Sequence, residues 1–322
     1  MLILIAYIVI FLASCASLAL ASKWLIGALA RIAMVLQIKE FIVAFFLMAF
    51  AATVPNLMIG IMAAIHKIPE LSFGDVIGGN LIDLSLVLGL GALLSRNGLP
   101  ADSQTVQKSS FFTIIITVLP LLLILDGTLS RIDGVILISS FICYVFWVFS
   151  KKERFAKVYE NCPTCFDFKQ FIKDFFIISL GAIFLFAGSK GIIESASYFS
   201  EMFKLPLSLI GLLIVGLGNC MPEAFFVMRA SKKGENWMII GELMGGVIMC
   251  ATLVLGIVSI ITPIQIENFS PFAVARAFMI IVAMFFLFSL KTGHKITRRE
   301  GGALIGIYVL WLLVEVFIKY FQ

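Results

Sequence analysis

Residues 72–91 read SFGDVIGGNLIDLSLVLGLG, and residues 239–258 repeat the pattern as IIGELMGGVIMCATLVLGIV. The two segments stand 167 positions apart, and the correspondence extends without a gap over residues 40–95 and 207–262. Glycines and a Val-Leu-Gly run fall at the same places in both copies. A duplication of this length indicates that the chain contains two structural units of one design.

The composition places these units in a membrane. Of the 322 residues, 61% are hydrophobic and only 13% are charged, and the mean hydropathy is +1.10. Apolar runs long enough to cross a hydrocarbon core of about 30 Å recur between short polar joints. We therefore predict an all-α polytopic membrane protein with ten transmembrane helices, arranged as two inverted five-helix repeats. The spans are expected near residues 2–22, 41–65, 71–95, 110–126, 132–150, 171–193, 205–230, 237–262, 270–290 and 302–321.

An odd number of spans between the two copies sets their relative orientation. Residues 1–150 are expected to form the first half, residues 151–170 a polar cytoplasmic linker, and residues 171–322 the second half. The two copies then enter the membrane from opposite sides. Inverted repeats bring equivalent helices together near the bilayer midplane, where alternating access can operate.

The basic residues favour one orientation. With both termini outside, most of the 24 Lys and Arg residues lie in the inside joints, as the positive-inside rule requires of a plasma (inner) membrane protein. This bias explains the net charge of +5. The sequence has no basic face with interleaved aromatic residues of the kind that nucleic-acid binding needs. The lipid bilayer is thus one expected partner, and the oligomeric state is open.

A proline interrupts each copy, Pro55 in the first and Pro222 in the second. Proline removes a backbone donor and clashes with the carbonyl group one turn earlier, so we expect kinked or unwound backbone over Ala49–Thr53 and Gly216–Cys220. Carbonyl groups freed in this way can bind cations. Irregular backbone at membrane depth is tolerated only beside protein or a water-filled cavity, and these breaks therefore favour a hydrated ion path.

Polar side chains fall at the depth of the two breaks. Asn56 and Glu223 follow the prolines, and Asp83 and Cys250 lie about halfway along the next helices at a rise of about 1.5 Å per residue. A carboxylate inside a membrane costs about 2.5–3.5 kcal/mol on insertion scales, which makes such residues candidates for function. No Lys or Arg is expected at that depth, so a bound cation or a proton must balance the two acids.

These motifs resemble the two alpha-repeats of the calcium/cation antiporter superfamily, which includes the sodium/calcium exchangers. The family pattern is Gly-Thr-Ser-x-Pro-Glu followed by Gly-Asn-x-x-Gly-Ser-Asn-x-x-Asn/Asp. Its counterparts here are residues 51–56 and 74–83, and again residues 218–223 and 241–250. With the flanking spans, the resemblance covers nearly the whole chain. It implies a cation antiporter rather than an enzyme, with no cofactor and with inorganic cations (Ca²⁺, Na⁺ or H⁺) as partners.

The resemblance also implies which groups bind the ions. They are the backbone oxygens of Ala49 and Gly216 and the side chains of Thr53, Asn56, Asp83, Asn219, Cys220, Glu223 and Cys250. The chain departs from the family at several places. Asn56 replaces the first Glu, Cys250 replaces an Asp, and Asp83 replaces an Asn. Gly79 and Gly246 stand at the two helix serines. Since calcium prefers six to eight oxygen ligands, these changes weaken a calcium site.

The four central positions are those of Asn56, Asp83, Glu223 and Cys250. Only Asp83 and Glu223 are acids, which gives a formal charge of −2. One divalent cation or two monovalent ions balance that charge, so we expect exchange of one divalent cation for two sodium ions or protons without net charge movement. Cys220 and Cys250 are either soft-metal ligands or small apolar residues that fill helix contacts. A monovalent cation/proton exchanger, a soft-metal exchanger, an intramembrane hydrolase and a non-transporting membrane scaffold stay open as alternatives.

Two further pairs of residues have two interpretations each. Asp75 and Glu242 occupy equivalent places in the copies. They form either a vestibule or proton path, or a negative charge in the first turn of a helix, where the helix dipole favours it. Cys162 and Cys165, in the linker sequence CPTC, are either half a zinc site or redox pair, or free thiols in a reducing compartment.

Overall fold

The computed structural model describes a helical chain. Its described ranges are residues 2–35, 48–101, 104–150, 168–234, 236–266 and 270–321. The helices of the first half are α1, Leu2–Val35; α2, Met48–Ile65; α3, Pro69–Ile82 with the π-helical turn Asp83–Val87 and Leu88–Leu94; α4, Gln104–Leu123, followed by a 3-10 turn at Ile124–Asp126; and α5, Arg131–Ser150.

The second half repeats this order. Its helices are α6, Phe168–Phe203; α7, made of Leu207–Ile210, the π-helical turn Gly211–Val215, Gly216–Asn219 and, after a break at Cys220, Met221–Lys233; α8, Asn236–Met249 with the π-helical turn Cys250–Val254 and Leu255–Ile261; α9, Ser270–Gly293; and α10, Arg298–Phe321. The predicted ten helices are confirmed among the described residues, and each predicted span falls on one of them. Residues 41–47, the linker residues 151–167 and the pair Cys162 and Cys165 lie outside the described ranges.

The duplication reaches beyond the segments where the sequence showed it. Helices α3 and α8 begin at Pro69 and Asn236, and α5 and α10 begin at Arg131 and Arg298, both 167 positions apart. The π-helical turns after residues 82 and 249 keep the same offset. The structure therefore repeats as a whole, although the exact point of division between the halves stays a prediction.

Hydrogen bonds between equivalent residues mark the axis that relates the repeats. Asn80 Nδ2 donates to the carbonyl oxygen of Val247 at 3.5 Å, and Ser17 Oγ donates to that of Phe184 at 3.0 Å. Both pairs are 167 positions apart. Only residues next to a twofold axis can touch their own counterparts, so α3 and α8, like α1 and α6, meet on that axis.

Two short strand pairs tie the joints of one half to those of the other. Strand β1 (Leu99–Pro100) pairs antiparallel with β4 (Lys295–Ile296), and β2 (Thr128–Leu129) pairs antiparallel with β3 (Ile264–Gln265). Helices α3 and α8 form the centre of the molecule. In their most apolar stretches, 83% and 72% of the residues are buried, compared with 17% in α1. By length and composition, seven helices among the described residues can cross a membrane, and α2 and α4 contribute shorter apolar stretches.

Glycines let α3 approach the first part of α7 backbone to backbone. A Cβ at Gly74 would lie 1.9 Å from the carbonyl oxygen of Ser208, and one at Gly78 would lie 2.1 Å from that of Leu212. Small residues at helix interfaces permit such close packing in membranes. This contact fixes the polar residues of α3 against the break in α7.

The two prolines act differently, which partly corrects the sequence expectation. The sequence predicted a kink or an unwinding over Ala49–Thr53. The unwinding is wrong, because α2 stays helical through Pro55, and the kink stays a prediction. The Thr53 hydroxyl donates to the carbonyl oxygen of Ala49 at 2.8 Å. In the second repeat the helix does break, at Cys220. Hydroxyl side chains support the backbone near a proline in membrane helices. At the equivalent position of the second repeat, Cys220 carries a thiol, which is a weaker donor than a hydroxyl.

Candidate cation site

A chain of hydrogen bonds joins four helices at the centre. Asn219 Nδ2 on α7 donates to Asn56 Oδ1 on α2, and it lies 3.4 and 3.3 Å from the two carboxylate oxygens of Asp75 on α3. Asn56 Nδ2 donates in turn to Cys250 Sγ on α8 at 3.0 Å. The structure thus brings residues of both repeats into one polar network at the place where the sequence predicted an ion site.

The remaining neutral ligands implied by the resemblance lie beside this network. The carbonyl oxygen of Ala49 accepts from Thr53, and that of Gly216 accepts from the Cys220 N–H at 3.0 Å. Cys220 Sγ lies 3.5 Å from the carbonyl oxygen of Gly79. A carbonyl oxygen has two lone pairs, so the single contact at Gly216 leaves room for a cation. Because α2 is helical there, the Ala49 carbonyl oxygen faces both the N–H and the hydroxyl of Thr53, and it must give up the hydroxyl contact to bind a cation. The ligand roles of these groups stay predictions.

Four carboxyl groups lie within electrostatic reach of one another. Glu223 interacts with Asp83, Glu242 and Asp75, and Glu242 interacts with Asp83. In the part of the chain that the structure describes, none of the four forms an ion pair with Lys, Arg or His. The two acids on which the sequence argument depended, Asp83 and Glu223, are therefore close and lack a basic counterpart there. The expectation of exchange without net charge counted only those two, and it stays a prediction.

Three carboxylate oxygens have unmet hydrogen-bonding capacity. Asp83 Oδ1, Glu223 Oε2 and Glu242 Oε2 are buried and have no hydrogen-bond partner among the described residues. Asp83 is 9% exposed and Glu242 is 7% exposed, whereas Glu223 is half-buried. A buried charge costs free energy unless it is paired, hydrogen-bonded or bound to a metal. These oxygens are therefore suited to receive a cation or a proton.

The acids follow stripes along α3 and α8. Asp75, Gly79 and Asp83 are spaced four residues apart, and Glu242, Gly246 and Cys250 repeat that spacing. Positions four apart lie on the same face of a helix. Asp83 and Cys250 also begin the two π-helical turns, a local geometry that is frequent at functional sites and that the sequence analysis did not foresee.

The first-turn interpretation of Asp75 and Glu242 is wrong. Helices α3 and α8 begin at Pro69 and Asn236, so both acids lie more than one turn inside. Asp75 is fully buried and contacts Asn219, a direct link to the site that the sequence analysis missed. The spacing of four residues to Gly79 was the signal that could have revealed it. The interpretation of the two acids as a vestibule or proton path stays a prediction.

The donor set favours a hard cation. Among the described residues, no three His, Cys, Asp or Glu side chains lie close enough to hold one metal ion together. A closed zinc site is built from four such groups, so the arrangement disfavours one. Calcium takes oxygen from carboxylates, amides and backbone carbonyls, and all three are present here.

The paired repeats, the interrupted helix and the shared acidic centre define a multi-pass membrane transporter for cations. The family profile described as sodium/calcium exchanger protein matches residues 6–150 and 173–317, and the chain belongs to that family. The two matches are again 167 positions apart. The resemblance stated from the sequence is therefore confirmed: the protein is a cation exchanger of this family, not an enzyme.

Similar proteins match most of the length of the chain. The sodium/calcium exchanger MaX1 of Methanosarcina acetivorans is 24% identical, over 92% of this chain and 95% of its own. The inner membrane protein YrbG of Escherichia coli is 22% identical, over 85% of this chain and 86% of its own. The solved structure of the sodium-calcium exchanger NCX_Mj, soaked with Na⁺ and Sr²⁺, has a TM-score of 0.68 at 24% identity and covers 96% of this chain and 99% of its own. This likeness shows the fold.

Proposed function

We propose that the protein is a secondary active antiporter that exchanges calcium, or another divalent cation, for sodium ions or protons. The observation that carries the proposal is the pair Asp83 and Glu223, one acid from each repeat, each with one buried carboxylate oxygen that has no hydrogen-bond partner in the described part of the chain. A divalent cation between the repeats balances both charges at once. The printed names of the relatives MaX1 and NCX_Mj, both sodium/calcium exchangers, support the same ions.

The amide groups support a cation rather than an anion. An ionised carboxylate can only accept hydrogen bonds, so the Asn219 side chain must turn its NH₂ group toward Asp75. The same NH₂ group donates to Asn56. The carbonyl oxygen of Asn219 then points away from both contacts, in a direction from which it can bind an ion. Asp75 thus acts as a positioning residue that presents an oxygen ligand.

Alternating access follows from the same contacts. The hydrogen bonds from Asn219 to Asn56 and from Asn56 to Cys250 cross between the repeats. A cation that draws oxygen atoms from both repeats would replace these links by stronger ionic contacts. Rocking of one repeat against the other would then expose the cation to the opposite side.

Transport is tested with purified protein in proteoliposomes. Outward gradients of Na⁺ or H⁺ should drive ⁴⁵Ca²⁺ uptake, and Ca²⁺ or Na⁺ should raise the unfolding temperature because each binds only the folded state. Glu223→Gln should abolish both effects. Glu194→Gln is the matched control, since Glu194 is exposed on α6 and lies 3.8 Å from Lys190, remote from the acidic centre. No response to Na⁺, Ca²⁺, Mn²⁺, Zn²⁺ or pH would refute the proposal and favour a membrane scaffold.

We also propose a location in the inner membrane with both termini outside. The relative YrbG carries the description of an inner membrane protein, and most Lys and Arg residues fall in the inside joints of this topology. Reporter fusions at each terminus test the orientation. An active cytoplasmic reporter at either end would overturn it.

A further inference from the structure

Gly246 on α8 is half-buried and faces an open space. A Cβ added there would meet no atom within 4 Å, whereas one added at the buried Gly256 on the same helix would lie 2.7 Å from Ile138. Side chains of a helix lean toward its N-terminus, over the preceding turn. The open space therefore lies over the turn that begins at Glu242.

Glu242 borders this space with an unsatisfied carboxylate oxygen. It precedes Gly246 by four residues, on the same helix face. Its side chain is 93% buried, since only 7% is exposed, and Oε2 has no hydrogen-bond partner within the described ranges. It also lies within electrostatic reach of Asp83 and Glu223. A buried acid that has an unpartnered oxygen, an adjoining open space and two further acids within electrostatic reach is placed to receive a cation.

The equivalent acid of the first repeat is arranged differently. Both oxygens of Asp75 face the NH₂ group of Asn219. The space beside Gly79 is narrower, because a Cβ there would make an ordinary contact of 3.5 Å with Cys220 Sγ. Asp75 is therefore engaged in holding Asn219. In the conformation shown, no three carboxylates of the described residues lie close enough to hold one ion together, so Glu242 must turn to join Asp83 and Glu223. Its side chain is longer than that of Asp75 by one methylene and has room beside Gly246 to do so.

We propose that Glu242 is a third carboxylate ligand of the transported cation, and that its side chain reaches the cation through the space left open at Gly246. The inference rests on the proposed function and adds to it. The family pattern places acids at the positions of Asn56 and Cys250, and this chain lacks both. Glu242 supplies a replacement carboxylate from a position eight residues before Cys250. The ligand class that fits is a divalent cation with a preference for oxygen, such as Ca²⁺.

The test is a Ca²⁺ titration of the unfolding temperature of the full-length protein in detergent without Na⁺. Glu242→Gln keeps the shape of the side chain and should raise the apparent Kd for Ca²⁺ by about tenfold or more, as loss of one charged ligand implies. Gly246→Val keeps all acids but fills the space, and it should weaken Ca²⁺ binding to a similar degree. The exposed control Glu194→Gln should retain the wild-type Kd.

The outcomes separate the two proposals. If the wild-type protein itself shows no Ca²⁺ response, the proposed function fails. If the wild type responds and both Glu242→Gln and Gly246→Val keep its Kd, only the role of Glu242 is overturned. Should Glu242→Gln fail to fold, Gly246→Val alone decides, because the wild-type Kd in that variant contradicts the proposed route of the side chain.

Discussion

Serine substitutions at the adjacent Gly78 and Gly79 test which face of α3 borders the cation site and which face packs against α7. Gly79 stands where the family has a serine, and a Cβ there would make an ordinary contact of 3.5 Å with Cys220 Sγ. Its neighbour Gly78 packs against α7, and a Cβ there would lie 2.1 Å from the carbonyl oxygen of Leu212. The same substitution at adjacent positions should therefore have opposite effects.

The magnitudes follow from the two environments. Gly79→Ser replaces a poor helix former, so the free energy of unfolding should rise by about 0.5 kcal/mol without cations. The new hydroxyl offers an oxygen ligand worth about 1 kcal/mol, which tightens Ca²⁺ binding by about fivefold. Gly78→Ser forces backbone atoms apart, and it should lower the unfolding free energy by about 1–3 kcal/mol or more.

Thermal unfolding of both variants in detergent, with and without a Ca²⁺ titration, measures these effects. The expected result is a small rise in unfolding temperature and a stronger Ca²⁺ response for Gly79→Ser, with a clear loss of stability for Gly78→Ser. If Gly79→Ser destabilises as much as Gly78→Ser, the space beside Gly79 is misjudged. If its Kd for Ca²⁺ equals that of the wild type, the hydroxyl does not reach the ion.

Three further substitutions test the site. Asp83→Asn should abolish Ca²⁺ uptake into proteoliposomes or change the ratio of exchanged ions, because it removes the acid contributed by the first repeat; wild-type flux and ratio would contradict this. Asn56→Glu restores the family's acid, so it should tighten Ca²⁺ binding by about tenfold and lower thermal stability without cations; weaker binding would argue against the inherited ligand position. Asp75→Asn frees the Asn219 amide to rotate and should weaken Ca²⁺ binding, and an unchanged Kd would show that Asp75 does not position it.

The duplication was visible in the sequence only where contacts restrict the choice of residue. Glycines and polar groups over residues 40–95 and 207–262 revealed it, because close helix packing and the ion site accept few alternatives. The outer helices share the same offset in the structure, as Ser17 and Phe184 show, but their sequences did not reveal it. Many apolar side chains serve equally well against lipid, so residue identity there drifts while geometry persists.

The depth of the site could be predicted, and its detailed roles could not. Asn56 and Glu223 were placed by the prolines that precede them, and Asp83 and Cys250 by counting residues from the helix starts, which tolerates small errors. The first-turn interpretation of Asp75 arose because the span was expected to begin near residue 71, whereas α3 begins at Pro69. A proline in the first turn is a recognised start signal. The contact between Asp75 and Asn219 joins residues 144 positions apart, and local sequence patterns cannot show such a contact.

The break in α7 also gives a physical reason why the two repeats carry different residues after their prolines. Because α7 restarts at Met221, Glu223 lies in the first turn of a new helix. Free N–H groups and the helix dipole stabilise a negative charge there by about 0.3–1 kcal/mol, and by up to about 2 kcal/mol when it is partly buried. Asn56 lies in the interior of the unbroken α2, where a carboxylate would receive no such support. The neutral amide in one repeat and the acid in the other are therefore each suited to the backbone that presents them.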